Sequence, residues 1–106
     1  MAWITLFIAG LLEVGWAIGL KYSESFSKLG PSVATVAMMI ASFYFLGLSL
    51  RTLPLGTAYA IWTGIGTAGT VVLGIYLFKE PVEPMRLACI ALIIAGVAGL
   101  RFLSPE

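Results

Sequence analysis

The sequence predicts an all-α membrane protein with four transmembrane helices. Of its 106 residues, 60% are hydrophobic and only 10% charged, against roughly a quarter charged in a soluble domain. The few charges are also grouped, so that they separate long apolar segments of membrane-crossing length. Mean hydropathy is +1.05. Six basic against five acidic residues leave a net charge of +1, too small a bias for electrostatic binding of nucleic acid. The composition is also the reverse of a disordered chain's.

The first segment, Ala2 to Leu20, carries Glu13 as its only ionisable side chain. Ser32–Leu50 and Thr57–Phe78 carry none, and the three segments hold 19, 19 and 22 residues. A helix needs about 20 residues to cross the hydrocarbon core. The first segment lacks the basic flank and A-x-A site of a signal peptide, so it reads as a helix that stays. The fourth, Leu87 to Leu103, is interrupted only by Arg101 near its end, where a long side chain snorkels to the headgroups. The expected spans are therefore 2–20, 32–50, 57–78 and 87–103, within a single domain, 1–106. Pro31, Pro54, Pro81, Pro84 and Pro105 all fall outside them, while ten of the twelve glycines fall inside, a distribution typical of membrane helices. Arg51 and Arg101 lie on the terminal side, and Lys21, Lys28, Lys79 and Arg86 on the other. This modest bias favours cytoplasmic first and third loops and permits insertion in both directions.

Without histidine and with one cysteine, Cys89, the chain has no internal disulfide, no Cys/His metal site and no Ser-His or Cys-His nucleophile. It reads as neither an enzyme nor a cofactor carrier. Its chemistry centres on Glu13, near the middle of the first helix, where an ionised carboxylate costs several kcal/mol or more. Such a group is either a protonated or hydrogen-bonded contact between helices, or a site for a cation or proton. Exchanging one for the other at a single carboxyl is the simplest proton-coupled antiport. Ala9, Gly10 and Ala17 leave the helix face open around it. Trp16 is placed to donate its indole N–H to the carboxylate, and Trp3 sits where an interface anchor belongs.

In the second helix Ser42 is a weak candidate, because mid-membrane serines usually bond the carbonyl four residues back. In the third, Tyr59, Trp62 and Gly66 share a face, offering a hydroxyl for a carboxylate and aromatic surface for an organic cation, or simply packing. Gly64 and Gly66 ease bending or let another helix approach closely. In the fourth, Ala91, Ala95 and Gly99 recur four apart with Gly96 beside them, a spacing suited to helix association. Four short helices cannot wall a translocation path alone, so a dimer is expected, parallel or antiparallel. Glu24, Glu80 and Glu83 lie in polar loops, expected to pair or remain solvated.

The runs Leu12-Glu13-Val14-Gly15-Trp16-Ala17, Leu20-Lys21-Tyr22-Ser23 and Leu53-Pro54-Leu55-Gly56-Thr57-Ala58-Tyr59-Ala60-Ile61-Trp62-Thr63-Gly64-Ile65-Gly66 resemble the small multidrug resistance family. Trp16 to Ser23 and Trp62 to Gly66 look more like its guanidinium-exporter subtype than its broad multidrug subtype. The resemblance covers the chain end to end. It implies an antiparallel homodimer of dual topology in the bacterial inner membrane, held partly by the fourth helices. It also implies exchange of cytoplasmic guanidinium for external protons. Glu13 of each subunit would bind substrate or proton competitively. Trp16, Ser42, Tyr59 and Trp62 would line the pocket, Gly10 would leave room, and Gly64 to Gly66 would form the hinge. Ser25 departs from the glycine that relatives commonly carry in this turn. Cys89 stands where the multidrug subtype often has glycine. Guanidinium is planar and rich in N–H donors, so it suits carboxylate oxygens bidentately. The competing readings are an exporter of quaternary ammonium compounds, a small structural or regulatory membrane subunit, and a passive channel.

Overall fold

The computed structural model describes residues 2–103; the expected position of Pro105 lies outside the described residues. The chain forms α1 (Ala2–Tyr22), α2 (Leu29–Ser49), α3 (Leu55–Phe78) and α4 (Pro84–Leu103). Each is long and apolar enough to cross a membrane.

The helix ends depart from the sequence expectation in ways that local chemistry explains. α1 continues through Lys21 and Tyr22, both of which lie against Phe78 at the far end of α3. The Lys21 ammonium sits 4.6 Å from that ring's centre and the Tyr22 ring 5.1 Å from it. α2 starts three residues early, so Pro31 falls inside its first turn rather than in the loop. Proline is tolerated there because first-turn N–H groups have no acceptor within the helix. α3 starts at Leu55, directly after Pro54. Pro84 is the first residue of α4, correcting its placement in the loop, and its fixed φ suits that position.

The two longer connections are tied down locally. Between α1 and α2, Glu24, Ser25 and Phe26 all take left-handed φ values of 49°, 64° and 66°. Buried Ser23 holds this turn: its hydroxyl donates to the Leu20 carbonyl (2.7 Å) and accepts the Phe26 N–H (3.1 Å). Glu24 pairs with Lys28 at 2.5 Å. Between α3 and α4, Arg86 bonds Glu80 at 2.8 Å and the Pro81 carbonyl at 3.0 Å.

The helices pack in the spatial order α2–α1–α3–α4, giving a slab of 43 × 34 × 17 Å. Its core, which includes Leu6, Ala9, Leu53, Ala58, Ile61 and Trp62, gathers where α1 and α3 begin and α2 ends. α4 packs along α3 and reaches α1 through the Arg101 guanidinium, 4.6 Å from the Trp3 ring centre. None of the described α4 residues is buried. In lipid such an outward apolar helix is stable without further cover.

Candidate functional site

α1 and α3 approach closely enough at mid-length to hold the Glu13 carboxylate between them. The close approach depends on Gly66: a Cβ added there would overlap the Glu13 carboxylate. Glu13 is half-buried, and its Oε1 is enclosed without a hydrogen-bond partner. Beside it opens a cleft of about 290 Å³, lined by Glu13, Trp16, Gly66, Thr67 and Thr70 among others. The expected bond from Trp16 to Glu13 is not formed. The indole N–H of Trp16 is also buried and unpartnered, because the ring turns towards α2 and meets Phe43 edge-on at 6.4 Å. Two unpaired buried polar atoms in one cleft are unusual in a folded protein. One is an acceptor, and the other a donor.

Ser42 is more than the sequence suggests. It donates not to its own helix but to the Ala9 carbonyl of α1 at 2.8 Å, and accepts the Trp62 indole N–H of α3 at 3.0 Å. One hydroxyl thus bridges three helices and does not reach a carboxylate. Thr35, Ser49, Thr63 and Thr67 follow the usual pattern, each bonding a carbonyl three or four residues back. Trp62 extends the contact: its ring lies 5.8 Å from Phe43 and 5.6 Å from Tyr59. The aromatic row Trp16–Phe43–Trp62–Tyr59 therefore crosses from α1 over α2 to α3. Phe43 was not anticipated. Its only sequence signal is that it follows Ser42 at the depth of Trp16 and Trp62.

Three successive residues of α3 address different neighbours. Gly64 admits Val97 of α4, Ile65 covers Gly10 of α1, and Gly66 accommodates Glu13. Gly10 consequently leaves no free room near the carboxylate; a Cβ there would lie 2.6 Å from the Ile65 side chain. α3 is an unbroken α-helix through 64–66, and both glycines act as points of close approach. In α4, no atom of the described residues lies within 4 Å of a Cβ built on Gly96 or Gly99. Both line an open apolar groove of about 460 Å³ shared with α3. Ala91 and Ala95 on the same helix are exposed.

The sequence match decides what kind of protein carries this arrangement. A family profile described as Small Multidrug Resistance protein matches residues 1–93. The chain belongs to the small multidrug resistance family. A curated relative from Escherichia coli K12, named "Guanidinium exporter", is 56% identical over 101 residues, covering 95% of this chain and 96% of the relative. The relative from Shigella flexneri, with the same name, matches to the same extent. That from Salmonella typhimurium is 55% identical over the same shares. Together with four apolar spanning helices, membership in the small multidrug resistance family makes this a multi-pass protein of the bacterial inner membrane.

Proposed function

We propose that this chain is a proton-coupled antiporter that exports guanidinium, with Glu13 alternately holding a proton or the cation. The observation that carries the reading is the enclosed, unpartnered Oε1 of Glu13 at the α1–α3 cleft. A lone intramembrane carboxyl of this kind is by default a transport site. Guanidinium in the cleft would bond the carboxylate, and a proton on the carboxyl would abolish the bond and the charge attraction together. Mutually exclusive binding is what couples the two fluxes. The names of the relatives agree with this substrate. Ser42 holds the three helices in register, while Trp62 and Tyr59 supply aromatic surface beside the path.

The working unit is proposed to be an antiparallel homodimer inserted in both orientations. A slab 17 Å thick is little more than one helix deep and cannot wall a path on both sides. A second copy would supply the missing wall and a second Glu13, and the open groove at Gly96 and Gly99 offers a seat for its α4. The chain's weak loop-charge bias is compatible with both insertions.

The aromatic row favours one second reading, export of quaternary ammonium compounds, since ring faces attract organic cations without N–H groups. An imposed outward proton gradient across proteoliposomes, with the lumen acidic, tests the main reading. It should concentrate labelled guanidinium, with little competition from a bulky tetraaryl cation. Strong competition would move the assignment to the multidrug substrates. No uptake would remove the exporter reading.

A further inference from the structure

We propose that Thr67 and Thr70 are specificity-determining residues of the cation site, supplying neutral oxygen acceptors to the N–H groups that Glu13 leaves unpaired; this rests on the reading of Glu13 as the cation site. Both line the Glu13 cleft. Thr70 stands one turn beyond Gly66, against which the carboxylate lies, so it shares that face of α3. Thr67 commits its hydroxyl hydrogen to the Thr63 carbonyl at 2.7 Å. Its oxygen can therefore offer only lone pairs to the cleft.

A planar cation with N–H groups around its whole edge needs acceptors on more than one side. Two carboxylates, one Glu13 from each copy, can accept along only two of its three edges. The remaining N–H groups, taken out of water, must find other partners or weaken binding. The indole of Trp16 cannot serve, being a donor only. Gly66 has no side chain. Thr67 and Thr70 are the remaining side-chain acceptors among the lining residues named above, and they stand on the α3 wall of the cleft. A cation without N–H groups gains nothing from them, so they discriminate by chemistry rather than by size.

Valine replaces threonine at nearly equal volume and is well tolerated in a membrane helix, so the test does not endanger the fold. Guanidinium-driven proton exchange is measured in proteoliposomes of wild type, the Thr67→Val/Thr70→Val double variant and the Thr67→Ser/Thr70→Ser double variant. The valine variant should raise the guanidinium KM about tenfold or more while the maximal rate stays within about twofold. The serine variant, which keeps both oxygens, should return to near the wild-type KM. An unchanged KM in the valine variant, or serine as impaired as valine, overturns the threonine assignment alone. A wild-type protein that exchanges no guanidinium overturns the reading of Glu13, and this assignment with it.

Discussion

Glu13 and Gly66 form the contact on which the site depends, and each constrains the other. Because the atoms meeting a Cβ at Gly66 are the far end of a flexible side chain, Gly66→Ala should move the carboxylate rather than break the fold. Thermal stability in detergent should stay near wild type while guanidinium transport falls by tenfold or more; loss of both together would mean that Gly66 serves packing alone. Ser42 makes the opposite prediction. Replacing it with alanine strands the buried Trp62 indole N–H, at a cost of about 1–3 kcal/mol. Adding Trp62→Phe should recover part of that loss, a non-additivity that a double-mutant cycle on thermal unfolding would measure. The position of Glu13 within a helix span was legible in the sequence because a carboxyl inside an apolar span is rare. The orientation of Trp16 and the cross-helix bonds of Ser42 were not. Spacing along one helix says which residues share a face, but not which neighbour that face meets.

The helices themselves were legible almost to their ends, because crossing a bilayer imposes a length and excludes charge. What charge could not mark was where helical geometry continues past the apolar stretch, as at Lys21 and Tyr22, or begins before it, as at Leu29. Proline was also a poorer boundary than expected, since Pro31 and Pro84 both sit in first turns. The α1–α2 connection shows a local cost. Ser25 holds φ of 64°, a conformation costing a non-glycine residue roughly 1–2 kcal/mol. Ser25→Gly should therefore stabilise the protein by about 0.5 kcal/mol after the extra backbone entropy of glycine, seen as a small rise in unfolding temperature. A fall would show that the Ser25 side chain contributes a contact outweighing that strain.

At the scale of the molecule, a thin slab with an unburied fourth helix leaves the site open on one side. If a second copy closes it through α4, Gly96→Leu should prevent association without disturbing the protomer, because among the described residues no atom lies within 4 Å of a Cβ built on Gly96. Crosslinking in membranes should then shift from dimer to monomer, with transport lost; an unaffected dimer would place the interface elsewhere. The spacing of Ala91, Ala95 and Gly99 points to an associating helix, whereas the groove at Gly96 and Gly99 exists only once α4 lies along α3. The central claim is that one carboxyl holds either a proton or the cation, and proton release on binding tests it most directly. Guanidinium is added to weakly buffered, detergent-solubilised protein over a range of starting pH. Wild type should release protons wherever Glu13 begins protonated, with release fading as pH rises and the group starts ionised, and Glu13→Gln should release none. Guanidinium binding to wild type without proton release at any pH would contradict it.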